Sequence, residues 1–413
     1  MSSKVVDFSN KRVILYENAL MSRIQEDNPM MNKVFTWFFI TFKEDFRKGN
    51  LVAFQTLMFL AMAHFFGFYN PKQLSDYLGI PHQGLYSILK GLSLYYLKEM
   101  LIGFMVKQAV EHLQPILQKS AATQTRAGIT LSVDNSVIDR FGKELRCTWS
   151  WYSGRCKKVV NGQDLLGVVL TVYGIVIPLH LLFCSKQGRG NTDKPSLLIA
   201  MLKRLKEEFT SEGIDITAFP ITFDSWYVSA ELRKQLYLLG FKRIIIAGKG
   251  NYTFTIKEKK QKASFWKKEI MLVNNQWGID VPSSRVAGDS PTFGHIVLFF
   301  YKKHTTGNYY LMDFSKVPLR GAEIWHIWKQ HYLIECFWKI LKSTFQIKSM
   351  RLQGNGLYTG LLVKVIAYLL SIRLKAENSF SKLTITQIMR KIRREYDLRV
   401  LMTEHFHLLV GIK

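Results

Sequence analysis

Two aspartates stand at matching places in two alternating segments. In Ile129-Thr-Leu-Ser-Val-Asp134 the apolar Ile129, Leu131 and Val133 alternate with Thr130, Ser132 and Asp134. In Phe219-Pro-Ile-Thr-Phe-Asp224 the residues Ile221 and Phe223 point one way, Thr222 and Asp224 the other. A period of two predicts strands, and each strand ends by presenting an acid on its polar side. Adjacent strands bring the two carboxylates together. Hard oxygen ligands of this kind suit Mg²⁺, or Mn²⁺, and Mg²⁺ keeps several waters and needs only a few carboxylates from separate elements. A pair of such ions serves phosphodiester cleavage, one activating the attacking water or hydroxyl and the other stabilising the leaving oxygen. Taken singly, each acid could equally cap the turn that follows it. Asp139, a little beyond Asp134, is the alternative to the first acid.

The third acid lies on a helix predicted from about Arg320 to Thr344, which offers Glu323 and Glu335. Offsets of minus seven, minus four and plus seven place Trp328, His331 and Lys342 on the helical face of Glu335. Acid, imidazole and cation then share one side, and Leu333, Ile334, Phe337 and Leu341 form an apolar side. An ordinary amphipathic helix with solvated charges gives the same pattern.

These residues need a scaffold, and the chain supplies one. Strands are predicted at Ile129–Asp134, Leu165–Thr171 and Ile175–Phe183, then a helix over Ser196–Phe209 burying Leu198, Met201, Leu202, Leu205 and Phe209. The strand Phe219–Asp224 follows, then a helix capped by Ser229, carrying Leu232, Leu236 and Leu239 and closed by Gly240, then a buried strand Arg243–Ala247. Three strands, helix, strand, helix, strand is the element order of a ribonuclease-H-like α/β domain. Residues about 249–315 break the alternation as a β-rich insertion, with a basic run Lys257–Lys268. Helices return at Leu357–Leu374 and in the basic stretch Thr384–Tyr396.

The first 125 residues read as helical throughout. Within them, Pro71–Leu92 has the shape of a helix-turn-helix: a helix over Pro71–Leu78, Gly79 at the turn, Ile80 as a plug, and a second helix from His82 turning Leu85, Ile88 and Leu89 inward. Gln83, Tyr86, Ser87 and Lys90 face outward, where a major groove could be read, although bundles that touch no DNA share the pattern. The expected organisation is a helical DNA-binding domain over 1–125, an α/β catalytic domain over 126–375, and a basic helical segment over 376–413.

Composition fits a nucleic-acid partner. The 413 residues, 48% hydrophobic and 13% aromatic, allow two or three domains with sizeable cores and exclude disorder as the default. Lys and Arg number 57 against 31 Asp and Glu, a surplus of 26 spread along the chain. That suits an extended polyanion, double-stranded DNA before anionic lipid. Cys147, Cys156, Cys184 and Cys336 show no paired spacing and read as reduced core residues of a cytoplasmic protein. Lys4, Asp7 and Lys11 interrupt the start, which lacks the build of a secretory signal. Leu51–Tyr69 is apolar enough to raise a membrane question, but Gln55 and His64 inside it favour a buried helix, so no membrane is expected.

Taken together the motifs resemble those of the DDE transposases of bacterial insertion sequences, in the group with a β-rich insertion and a Tyr-x2-Arg-x3-Glu-x6-Lys signature. Glu335 and Lys342 match the second half of that signature, while Trp328 and His331 stand at its Tyr and Arg positions. Ser132-Val-Asp134-Asn-Ser is similar to the family's first motif and Thr222-Phe-Asp224-Ser-Trp-Tyr to its second. The likeness spans roughly residues 60 to 375. It implies Asp134, Asp224 and Glu335 as catalytic acids and ligands of two Mg²⁺ (or Mn²⁺) ions, and it selects Glu335 over Glu323. It also implies DNA contacts from Lys342, His331 and Trp328. By charge alone, Lys186, Arg189, Lys194, Lys348 and Arg351 are further candidates for backbone contact, although singly each is more often a solvated charge. The implied activity is cut-and-paste transposition: binding of inverted-repeat ends, strand cleavage, and transfer of the 3′ hydroxyl to target DNA, by a homodimer in a prokaryotic, nucleoid-associated setting. Trp266 or Trp277 could stack on a displaced base, or lie in the core. A ribonuclease-H-like nuclease or integrase-type enzyme would use the same acids, and a catalytically silent transposase-derived DNA-binding protein would keep the fold.

Overall fold

The computed structural model describes residues 51–398, except residues 80, 91–92, 120–127, 141–144, 146, 155, 185–193, 275–277, 304–305, 350–351, 355 and 377–379. Ile80, Lys186, Arg189, Trp277 and Arg351 lie outside the described residues, as does the side chain of Lys90. The chain is mixed α/β and divides into two compact units.

The first unit is helical and gathers described residues within 51–104, 140–146 and 339–398. Residues 339–375, read from the sequence as part of the catalytic domain, therefore pack with the N-terminal helices. Helix α1 (Leu51–Phe65) is followed by α2 (Pro71–Leu78) and α3 (His82–Lys90), at the bounds the helix-turn-helix pattern predicts. The Asn70 side chain accepts from the Gln73 N–H at the start of α2, and Gly79 takes a left-handed φ of 71° at its end. Leu89 is buried, Gln83 and Ser87 are exposed, and Tyr86 is half-buried. Helix α4 (Leu94–Lys119) follows, with its residues from Met105 onward assigned to the second unit. Helix α9 (Gly356–Ala376) is long and apolar enough to cross a membrane by composition, yet 94% of that stretch is buried inside the protein. It carries Lys364 at its centre, whose Nζ donates to the Tyr69 carbonyl at 2.8 Å and the Ser349 hydroxyl at 3.2 Å. A lysine satisfied by protein groups marks a core helix rather than a span. Helix α10 (Ile385–Glu395) begins at a capping box formed by Thr384 and Gln387.

The second unit is built on one continuous sheet. Its strands are β1 (Ile129–Asp139), β2 (Trp149–Ser153), β3 (Lys158–Val172), β4 (Ile175–Phe183), β5 (Ile221–Phe223), β6 (Ile244–Ala247), β7 (Thr253–Ile256), β8 (Lys259–Lys262), β9 (Ser283–Ser290), β10 (Gly294–Lys303) and β11 (Thr306–Asp313). The order is β2-β3-β1-β5-β6-β11-β10-β9-β7-β8, with β4 also paired to β3. Strands β1, β5 and β6 run parallel, and β3 is antiparallel to β1 and to β4. Helix α5 (Lys194–Ser211) leads from β4 into β5 and helix α6 (Ala230–Leu239) joins the parallel β5 and β6; both bury the leucines the periodicity selects. The insertion, which includes the short helix α7 (Ala263–Glu269), does not form a separate body. Its strand β11 pairs with β6 and extends the same sheet.

Two sequence expectations change here. Strand β1 continues five residues past Asp134, to Asp139, because its pairing with β3 continues to Gly162, so Asp134 is internal to the strand. The strand is also buried on both sides, Thr130 and Ser132 included, and so lacks the solvated face that alternation suggests. Helix α8 (Gly321–Lys339) covers one side, where Ile324, Trp325 and Ile327 pack with Ile245, Phe299 and Leu311.

Asp313, at the end of β11, gives a stability prediction. It is 7% exposed, and burial pushes its carboxyl up to about 6, against the opposing hydrogen bonds from Ser315. A folded value above the unfolded one means the contribution to stability is complete below about pH 4 and lost as pH rises through about 6. Asp313→Asn is therefore expected to gain on wild type by about 1–2 kcal/mol between pH 4 and pH 7 in denaturant titrations. A constant difference between the two proteins across that range would refute the assignment.

Candidate active site

The parallel register of β1 and β5 pairs Leu131 with Ile221, Ser132 with Thr222 and Val133 with Phe223. One residue further along each strand stand Asp134 and Asp224. Neighbouring parallel strands thus place the two acids side by side, as the alternating segments predict. Asp224 also caps the short 3₁₀ turn Ser225–Tyr227, its Oδ1 accepting from the Ser225 N–H at 2.6 Å. Turn capping and a place beside Asp134 are compatible, because capping engages one of two carboxylate oxygens.

Glu335, the expected third acid, lies on helix α8. His331 is buried, with its Nδ1 3.0 Å from the Thr222 hydroxyl, which also donates toward Ser132 Oγ at 3.0 Å. Trp328 stacks on the His331 ring with centroids 4.6 Å apart and donates to the Tyr301 hydroxyl at 3.2 Å. At the far end of the helix Trp338 lies over Gly167, the residue opposite Asp134 on β3. A Cβ on Gly167 would sit 2.7 Å from the Trp338 ring, so only glycine permits this close approach. Glu335, exposed, lies between these two anchor points.

The electrostatics tie the three acids together. Burial pushes the Asp134 carboxyl up to about 7; the Asn135 backbone N–H opposes this, and the charges of Asp224, Glu335 and Asp164 add to it. Glu335 thus acts on Asp134, whereas Glu323 caps the start of α8, accepting from the Arg320 N–H at 2.8 Å and pairing with its guanidinium. Of the two acids on α8, Glu335 is the one whose charge raises Asp134.

Among the described residues no three acidic, imidazole or thiol side chains close around an ion unaided. The donor chemistry nevertheless fits a hydrated Mg²⁺, which asks for one or two direct carboxylates and supplies its remaining ligands as water. A divalent cation also answers a buried carboxylate raised by neighbouring negative charges.

Other predicted site residues fall differently. His331 is expected from the sequence to meet phosphate, but burial lowers its imidazole to about 4, and the ring is enclosed by Thr222 and Trp328. It is a neutral spacer that fixes α8 to β5, and Trp328 covers it. Lys194, expected on a DNA backbone, instead pairs with the fully buried Asp164 at 2.5 Å, its ammonium 4.8 Å from the Trp226 ring and 5.4 Å from that of Trp151. Trp266 is buried and donates to the Phe254 carbonyl, so it belongs to the core. Lys342 and Lys348, both half-buried, belong to the helical unit, in the π-helical turn Ile340–Thr344 and the 3₁₀ turn Ile347–Ser349. The four cysteines form no disulfide.

Sequence reasoning missed a network beneath the acids. Asp164 Oδ1 accepts from Asn135 Nδ2 at 2.8 Å, and Asn135 Oδ1 accepts from the Tyr227 hydroxyl at 3.1 Å. Asp164 lies opposite Val137 on β1, so it points to the sheet face away from Asp134. The chain Lys194–Asp164–Asn135–Tyr227 links β3 to the residue after Asp134 and to the turn after Asp224. An Asp inside the apolar run of β3 was the available signal. No model of a known protein family matches this chain, and none of the curated proteins matches it.

Proposed function

We propose that the protein is a DDE-type DNA transposase with a ribonuclease-H-like core, acting on the inverted-repeat ends of its own element. The observation that carries this reading is the convergence of Asp134 and Asp224 from adjacent parallel strands with Glu335 from the helix packed across them. The element order, three strands, helix, strand, helix, strand, with β1, β5 and β6 parallel, supports the core, and the β-rich segment before α8 supports the transposase group. The surplus of 26 positive charges supports a DNA partner.

In this reading Asp134, Asp224 and Glu335 would hold two Mg²⁺ or Mn²⁺ ions, whose chemistry would be activation of the attacking oxygen and stabilisation of the leaving one. The chain's own part is placement. The shared register fixes Asp134 against Asp224, His331 and Gly167 set the height of α8 over the sheet, and Asp164 anchors the strands from the opposite face. Recognition of the ends falls to α3, with Gln83, Tyr86 and Lys90 as the reading residues, and synapsis of two ends requires two copies of the chain.

The test is incubation of the purified chain with Mg²⁺ or Mn²⁺ and DNA carrying the sequences that flank its gene. Nicks at the borders of short inverted repeats, leaving 3′ hydroxyls that join to target DNA, are expected. Cleavage without joining would favour a nuclease, and end binding without either a silent DNA-binding protein.

A further inference from the structure

A cavity of about 330 Å³ opens in the helical unit, lined by Tyr69, Ser343, Thr344, Thr386, Arg390 and Arg393 around the buried Met389. Two guanidinium groups and several hydroxyls face it, and among the described residues no carboxylate lines it. Arg393 is held in place rather than loosely solvated. Its Nε donates to the Phe65 carbonyl at the end of α1 at 2.7 Å, and one terminal nitrogen donates to the Tyr69 hydroxyl at 3.1 Å. The guanidinium lies against Gly67, where a Cβ would stand 3.3 Å from Arg393 Cζ, at a φ of 93° that side chains rarely adopt. Glycine is required there by both conformation and space. A guanidinium has five N–H donors, and these two bonds leave three for a ligand.

The rest of the lining is arranged to the same end. Arg390 is one turn before Arg393 on α10, so the two cations share a helix face. Thr386 lies in the first turn of α10, where unpaired N–H groups and the helix dipole favour an anion. Its hydroxyl is 3.5 Å from that of Thr344, in the π-helical turn that also carries Ser343. One fixed arginine, a second on the same helix face, hydroxyl donors and a helix start are the donor set for a phosphodiester group.

We infer that this cavity binds a backbone phosphate of duplex DNA, giving the helical unit a sequence-independent anchor separate from the carboxylate site. The inference rests on the reading of DNA as the partner. The full-length wild-type chain and its Arg390→Gln, Arg390→Lys and Arg390→Gln/Arg393→Gln variants are titrated by fluorescence anisotropy with a short random-sequence duplex. EDTA keeps cleavage out of play, and the titration is repeated over a salt series. Arg390 is exposed, so its replacement leaves the fold intact even if the Arg393 change does not. Arg390→Gln is expected to weaken binding about tenfold at low salt and to reduce the slope of log K against log salt by about one, and Arg390→Lys to recover part of both. Affinity and slope equal to wild type in Arg390→Gln would overturn the proposal. So would inorganic phosphate raising the melting temperature of wild type but not of Arg390→Gln while duplex affinity stays the same, which would make the cavity a free-phosphate site. Nicking by an Arg390→Gln chain that binds as wild type removes this proposal alone; Arg390-dependent binding without nicking by wild type removes the catalytic reading alone.

Discussion

Asp134→Asn, Asp224→Asn and Glu335→Gln are each expected to lower metal-dependent nicking at least about 10³-fold, equivalent to about 4 kcal/mol of transition-state stabilisation. Binding to DNA ends should persist, since the acids contribute no positive charge to phosphate contact. Stability separates lost chemistry from lost folding. Asp134 is held by burial and by its acidic neighbours with its carboxyl raised to about 7, so its charged form is disfavoured in the folded chain. Its contribution to stability is complete below about pH 4 and lost as pH rises through about 7. In EDTA at pH 8, Asp134→Asn should therefore be more stable to unfolding than wild type, by about 1–2 kcal/mol after allowance for solvent screening, and the gain should vanish near pH 4. Glu323→Gln is the control, because Glu323 caps the start of α8, where its carboxylate is engaged by Arg320. Full cleavage by the triple variant would sink the assignment.

Asp164→Ala is expected to give the largest stability loss of any single change near the site, about 3–5 kcal/mol. The change strips the partner from Lys194, whose side chain is only 11% exposed, and leaves the Asn135 amide without its acceptor. The energy lost is mainly the cost of an unpaired buried ammonium, so removing both charges should cost less than removing one. A paired Asp164→Leu/Lys194→Met variant is expected to recover most of the stability in guanidinium titrations. Its activity should stay low, because Asn135 and Tyr227 lose the anchor that links the flanks of Asp134 and Asp224. Asp164→Ala unfolding within about 0.5 kcal/mol of wild type would show that the network carries no weight.

Much of the scaffold was legible because it is local. The helix bounds Pro71–Leu78 follow from Asn70 and Gly79 at their caps, and the α6 bounds from Ser229 and Gly240. The apolar stripe of α5 follows from period alone. Strand length was less legible: β1 runs through Asp139 because β3 offers it a partner that far, and pairing is not a local property. The same is true of His331. On a helical wheel it shares the face of Glu335, and only the docking of α8 onto Thr222 turns it from a surface imidazole into a buried, neutral one.

The sequence by itself determined the element order and the two strand acids, because alternation, caps and apolar stripes act over a few residues. It also determined a charge balance suited to DNA. The tertiary structure decided which acid of α8 acts on Asp134, since Glu323 and Glu335 differ by where α8 crosses the sheet, and that is set by Trp338 over Gly167 and His331 on Thr222. It decided the roles of Lys194 and Asp164, far apart in sequence and joined across the sheet face. It brought α10 back against α1, where Arg393 meets Gly67. Burial and pairing between distant segments set charge state and exposure, and neither can be read from residue type and spacing alone.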